Sequence, residues 1–459
     1  MKIIIIGVGE LGRLLAQTLC NAGHEVVVVD NSGEELEHLG DRLDILRVEG
    51  SCTSVATLKK AGIENTDALL AVSGDEPANI LSCQLAAKLG VRKTICRLFR
   101  SDSFSAEDHI SAGDFGIWKT FSTPEESARK ILDVLKNRFV KEKIRFSHSD
   151  QACMEVVQIS PTSHLLGTRL QDLVCGNLLS NIRIAAALHG SKFIAPGGNT
   201  IFGSGDRIYV AGLESDVSQF VEWCSPDESS SGRIVIAGGG ETGLFLAQKA
   251  HGLGYDVRLI ERDPRRIDRI SDELAPGIML MSGDPTEGDL LEEAGTASAD
   301  VFVSAESDDE DNILAGILAK RMGAKKTVVL TRKPEYIRIV PTMDLIDCGF
   351  SASQIAVNTV LRLLGLGIFR IDVNLESYGA KLAEFKVTRN SPLAGKMIKH
   401  CGLPSNLALI LRGDETITPS GDTVLQPGDT AISIVTEELA KTMKPLFPSE
   451  RTQAAHTAL

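Results

Sequence analysis

Two glycine-rich turns hold the residues whose types and spacing can do chemistry. One is Gly7-Val8-Gly9-Glu10-Leu11-Gly12 and the other is Gly238-Gly239-Gly240-Glu241-Thr242-Gly243. In a G-x-G-x-x-G turn the first glycine makes the tight bend. The second lets backbone approach a pyrophosphate, and the third lets the following helix pack on the strand. The start of that helix offers unpaired N–H groups and a partial positive charge to phosphate. In both copies an acid, Asp30 or Glu261, ends the next strand, where it can accept hydrogen bonds from ribose hydroxyls. A carboxylate there repels a ribose 2′-phosphate, which favours NAD(H) over NADP(H).

Further positions follow from the ends of later strands, which face the ligand crevice in such sheets. Gly50-Ser51 and Gly283-Asp284 stand beyond the third strand, and Ser73-Gly74 and Ser304-Ala305 beyond the fourth. Arg97 ends the fifth strand of the first copy, where its fork of donors can reach phosphate, and its counterpart is Leu330. The two sites are therefore expected to be unequal. Asp75, Glu76 and Asn79, with Asp308 to Asn312, read as acidic helix starts of the kind the helix dipole favours.

The elements that position these residues are repeated. Gly7/Gly238, Gly9/Gly240, Gly12/Gly243 and Asp30/Glu261 are each separated by 231 positions, and Gly50/Gly283, Asp67/Asp300, Asn79/Asn312 and Gly90/Gly323 by 233. Short β-branched runs (Lys2–Ile6, Glu25–Val29, Ile45–Val48, Ala68–Val72, Thr94–Leu98) alternate with helically spaced apolar residues such as Leu11, Leu14, Leu15, Thr18 and Leu19. Apolar strands joined by helices predict a parallel sheet buried on both faces. The fold class is α/β: two doubly wound, Rossmann-like parallel-sheet domains, each followed by a small α+β module. In the modules, Pro196/Pro419, Gly205/Gly428 and Asp206/Asp429 share an offset of 223. The expected organisation is a first dinucleotide-binding domain over 1–123, a crossover helix (Pro124–Arg138) and module over 124–224, and a polar linker over 225–232. A second dinucleotide-binding domain covers 233–350, a second crossover helix (Ser353–Leu364) and module 351–448, and a frayed tail 449–459.

Bulk properties narrow the function. A net charge of −13 argues against holding a nucleic-acid backbone by counterion release. No segment reaches the ~20 apolar residues that a bilayer crossing needs. The nine cysteines show no CxxC spacing, so buried reduced thiols are expected and no metal site. The nine histidines form no HExxH or triad signature, and no GxxxxGK[ST] loop is present. Hydride transfer needs an acid, base or oxyanion stabiliser beside the nicotinamide, and no such constellation is visible. The pattern points to binding and signalling, not turnover.

The stretches KIIIIGVGELG with Asp30, DALLAVSGDEPANILSCQLA, RIVIAGGGETG with Glu261, GDPTEGDLLEEAG and DVFVSAESDDEDN, with the twin Pro/Gly/Asp modules, resemble the TrkA family over roughly residues 1–448. These are peripheral NAD-binding regulatory subunits of Trk potassium-uptake systems, built from tandem regulator-of-K⁺-conductance (RCK) N and C modules. The resemblance implies a non-enzymatic, cytoplasmic subunit on the inner face of the membrane. It would form a homo-oligomeric, tetrameric gating ring beneath an integral-membrane channel subunit. It would bind NAD(H), with ATP and ADP competing or acting at related sites. By position, Gly7–Leu11, Asp30, Ser73, Gly74 and Arg97 would line the first site, and Gly238–Thr242, Glu261 and Asp284 the second. Ser51 departs from the family, which more often has an acid after that glycine. Two other readings stay open: an NAD-dependent oxidoreductase, and a regulator of a different cation channel or efflux transporter.

Overall fold

The computed structural model describes residues 1–37, 39, 44–100, 103–104, 110–146, 149–173, 178–190, 192–225, 232–339, 345–366, 380–413 and 415–448. Cys175, His38, His109, His148, His456, positions 226–231 of the expected linker and the tail from Ser449 lie outside them. Contacts divide the chain into two compact units that each gather halves from both repeats. Met1–Ile131 joins Gly232–Leu364, and Leu132–Ser231 joins Gly365–Leu459.

The first unit holds both parallel sheets. In the first repeat β1 (Lys2–Ile6), α1 (Glu10–Asn21), β2 (Glu25–Asp30), α2 (Gly33–Glu37), β3 (Ile45–Glu49), α3 (Val55–Lys60), β4 (Ala68–Ala71), α4 (Glu76–Lys88), β5 (Lys93–Leu98) and β6 (Lys119–Ser122) are followed by α5 (Thr123–Leu135). The strand order is β3-β2-β1-β4-β5-β6. Ile3 to Ile6 and Val26 to Val29 are at most 2% exposed because helices cover both faces of the sheet, and alternation is therefore absent. The order reverses between β1 and β4, the switch point where crevices form in such sheets.

The small modules form antiparallel sheets in the second unit. β7 (Val140–Phe146), β8 (Ser149–Gln158), α6 (Leu178–Asn181), β9 (Ile182–His189), β10 (Lys192–Ile194), β11 (Arg207–Leu213) and α7 (Glu214–Cys224) make the first, in the order β10-β9-β11-β8-β7. The second repeat's sheet, β12 (Arg233–Ala237), β13 (Asp256–Glu261), β14 (Met279–Ser282), β15 (Val301–Ser304), β16 (Lys326–Thr331) and β17 (Cys348–Ser351), has the order β14-β13-β12-β15-β16-β17. Its helices are α8 (Glu241–Gly252), α9 (Pro264–Ser271), α10 (Gly288–Glu293), α11 (Asp309–Met322), α12 (Pro334–Ile339) and α13 (Ala352–Leu364). The last module pairs β18 (Ala380–Lys386), β19 (Leu407–Arg412), β20 (Glu415–Ile417) and β21 (Thr430–Thr436) as β18-β21-β19-β20, and ends on α14 (Glu437–Met443). One apolar cluster, including Met154, Tyr209, Leu409 and Ile432, joins the two modules.

The repeated Gly-Asp pairs are structural. Gly205 and Gly428 take φ of +87° and +101° at tight turns. Asp206 accepts from Gly203 N–H at 2.8 Å and meets His189 Nδ1 at 2.9 Å. Asp429 meets Arg412 through two bonds of 2.8 and 2.9 Å. Cys83, Cys96, Cys153, Cys224 and Cys348 are buried thiols, and burial pushes Cys153 up to about 12. Among the described residues no helix is long and apolar enough to cross a membrane, and no group of three His, Cys, Asp or Glu is arranged to hold a metal ion.

Candidate nucleotide site

The three glycines of each turn do different work. Gly7 has φ +90° and a Cβ there would stand 2.6 Å from the Ser73 Cα. A Cβ on Gly12 would overlap the Gly7 carbonyl oxygen, and one on Gly243 the Gly238 carbonyl oxygen. Those positions are glycine because the fold demands it. Gly9 and Gly240 differ: φ is −61° and −60°, and a Cβ at either would meet nothing within 4 Å. The fold does not need a glycine there, and the space in front of the backbone is open. Neither α1 nor α8 has a side-chain cap, whereas α3, α4, α9 and α11 are capped by Ser54, Asp75, Asp263 and Asp308. Uncapped first-turn N–H groups at an open turn suit an anion.

In the first turn Asp30 Oδ2 accepts from Val8 N–H at 2.7 Å and Oδ1 from Ser32 N–H at 2.9 Å. Asp30 thus orders the turn and remains partly exposed. Val8 and Leu11 are buried, and Glu10 bonds Ser353 Oγ at 3.0 Å. Ser73 stands beside Gly7, held by Asn79, while Gly74 is exposed. Arg97 is half-buried and makes one long contact, 3.5 Å to the Val72 carbonyl. Among the described residues no carboxylate pairs with it, and burial holds its guanidinium below the usual range. A half-buried cation without a counter-ion is a strong attractor for phosphate.

The second turn repeats this backbone with other side chains. Glu261 Oε2 accepts from Gly239 N–H at 2.9 Å, Oε1 accepts from Asp263 N–H at 2.8 Å, and the residue is only 4% exposed. Arg266 lies along the turn, donating from Nε to the Gly239 carbonyl at 2.5 Å and from Nη2 to Glu241 at 3.0 Å. Thr242 follows in the first turn of α8, half-buried. Asp284 accepts from Thr286 N–H and Oγ1 at 2.8 and 2.7 Å, which holds its carboxyl below the usual range. Ser51 makes the equivalent turn with Thr53 at 2.8 Å, so the departure at Ser51 removes a charge and keeps the loop.

Two sequence expectations change. Ser304-Ala305 do not match Ser73-Gly74. Ser304 is the last residue of β15, fully buried and bonded to the Asn312 carbonyl at 2.7 Å, so it lines no crevice. Glu306 takes the place of Ser73: its N–H donates to Asn312 Oδ1 at 2.7 Å, as Ser73 N–H donates to Asn79 Oδ1 at 3.0 Å. Asn79 and Asn312 are not simple helix-start residues either. Each is 1% exposed and bonds both sides of the loop after the fourth strand, with a further bond to the carbonyl of Arg97 or Leu330. The 233-residue offset, extended two positions past the strand, was the signal for Glu306.

Family models agree with this architecture. The TrkA-N domain matches residues 3–108 and 234–347, and the TrkA-C domain matches 154–225 and 382–447. The chain belongs to the TrkA family. It is similar to a Trk system potassium uptake protein TrkA homolog of Archaeoglobus fulgidus, 29% identical over 94% of this chain and 96% of that one. It is also similar to the Trk system potassium uptake protein TrkA of Vibrio alginolyticus, 28% identical over 97% and 98%. Among solved structures, the GsuK RCK domain shares the fold with a TM-score of 0.61 and 17% identity, covering 96% of this chain and 94% of that one. A GsuK channel bound to NAD gives 0.60 and 17%, covering 96% and 78%. The TrkA-family fold is thus present in both repeats.

Proposed function

We propose that this TrkA-family chain is a nucleotide-sensing regulatory subunit that gates a membrane potassium-uptake channel. NAD(H) binds at the first glycine-rich turn, with ATP or ADP as competing ligands, and no substrate is turned over. The observation that carries this reading is Gly9: the turn keeps a glycine where no steric contact requires one, in front of an uncapped helix start. Backbone approach by a pyrophosphate explains that choice. The names of the relatives supply the potassium-uptake context, and the like-folded GsuK channel solved with NAD supports the ligand class.

Sensing requires that a ligand prefer one conformation of its host. A link exists inside the first unit. Glu10 opens α1 beside the glycine turn and bonds Ser353 at the start of α13, and Arg362 of α13 pairs with Glu126 of α5 at 3.5 Å. A ligand that repositions Glu10 therefore acts on the crossover helix of the other repeat. Four such chains would form the ring on the inner membrane face. The test is potassium uptake in a host lacking its own subunit. The intact chain is expected to restore growth at low potassium, and Gly9→Val to fail while folding normally. Full rescue by Gly9→Val would mean that ligand binding is not needed.

A further inference from the structure

The two glycine-rich turns share a backbone and differ in charge. Where the first repeat has Ser51, Ser73 and Ala78, the second has Asp284, Glu306 and Asp311. Where the first has Arg97, the second has Leu330. The first set carries one positive charge and the second set three negative ones.

We propose that Glu306 closes the second glycine-rich turn to dinucleotides, so that each chain binds a single NAD(H), at the first turn. This rests on the nucleotide-sensing reading above and goes further, by naming the residue that sets which turn is used.

Glu306 is placed to do this. Its backbone abuts the first glycine of the turn: a Cβ on Gly238 would stand 2.9 Å from Glu306 N. Its side chain is 9% exposed, and Oε1 is buried with no hydrogen-bond partner. Burial, then the nearby Glu261 carboxylate, pushes Glu306 above the ordinary carboxylate range, and Arg262 opposes this only in part. Among the described residues Arg262 is the one cation facing Glu306, and it is shared. It bonds Asp311 at 2.9 Å and lies 3.7 Å from Asp284, both nearer than its 3.9 Å to Glu306. Arg266 is occupied by Gly239 and Glu241 and lies 4.0 Å from Glu261. A pyrophosphate entering this turn would meet the buried carboxylates of Glu261 and Glu306, whose neighbouring cations, Arg262 and Arg266, are already engaged. Like charges brought together in a poorly solvated crevice, where the nearby cations are already shared, are strongly unfavourable. At the first turn the same approach meets the Ser73 hydroxyl and Arg97, which has no carboxylate partner among the described residues.

The experiment is equilibrium binding of NADH to the full chain, read as moles bound and dissociation constant. Wild type, Arg97→Leu, Glu306→Ser and Glu306→Gln are compared, with circular dichroism confirming the fold. Glu306→Gln keeps the side-chain volume and covers the case in which Glu306→Ser does not fold. Wild type is expected to bind one NADH per chain, and Arg97→Leu to weaken that event at least tenfold. Both Glu306 variants are expected to add a second bound NADH. Two equal sites in wild type, or one site retained in both Glu306 variants, would overturn the role of Glu306 and leave the sensing reading standing. A wild-type chain that binds no NADH would overturn the sensing reading itself, and this inference with it.

Discussion

Arg97→Leu separates binding from folding with unusual clarity, because the protein already contains the answer for folding. Leu330 occupies the equivalent place in the second repeat, where it is 7% exposed and pairs with Phe350 as Arg97 pairs with Phe121. The strand therefore accepts an apolar side chain. Arg97 makes one 3.5 Å contact, to the Val72 carbonyl, so its removal sacrifices little in the ligand-free protein. Replacing a poorly solvated charge by a hydrophobe is often neutral or stabilising. With ligand the balance reverses. A hydrogen bond to a charged group contributes about 1.5–3 kcal/mol, which is a loss of roughly 10- to 150-fold in affinity. The assay is calorimetric titration with NADH beside thermal unfolding without it. We expect weaker binding and a midpoint unchanged or raised. Binding within threefold of wild type would refute the assignment of Arg97 to phosphate, and a lowered midpoint would refute the argument about its burial.

Other predictions concern the scaffold and the chemistry. Gly9→Ala should leave thermal stability near wild type and weaken NADH binding. Gly12→Ala, whose Cβ overlaps the Gly7 carbonyl, should cost about 3 kcal/mol in urea unfolding. Lys143 is buried against Glu155 at 3.1 Å and Glu214 at 2.6 Å. Lys143→Met should destabilise by about 3–5 kcal/mol by stranding Glu155, and adding Glu155→Leu should restore most of the loss. Burial pushes Glu384 from 4.5 to about 7, so the folded chain keeps a proton that the unfolded chain releases. The stability this contributes is complete below pH 4.5 and lost as pH rises through about 7. Glu384→Gln should therefore match wild type at pH 4 and exceed it at pH 8, by up to about 3 kcal/mol. NADH incubated with the protein and a panel of carbonyl compounds should not be consumed; steady oxidation would favour an oxidoreductase.

The parts of the site legible in the sequence are those set by backbone geometry. A tight turn after an apolar strand admits few residues, so Gly7, Gly12 and Asp30 announce themselves and their repeats. Glu306 and Asn312 were harder to read, because strand ends differ by one or two positions and side-chain direction alternates along a strand. Taking Ser304 as crevice-lining placed a residue that faces the core. Arg262 and Arg266 gave no pattern at all, since an arginine on an exposed segment usually pairs with solvent.

Sequence alone determined the two α/β domains, their order and the position of both glycine turns. Glycine spacing and apolar periodicity are local, and the repeat states them twice. Tertiary structure decided how the repeats combine: both parallel sheets fall in one compact unit and both small modules in the other. It also decided the electrostatic character of each turn. Charge in a crevice depends on residues from three or four strand ends at once, and on which of them are already paired. No single stretch of chain carries that information.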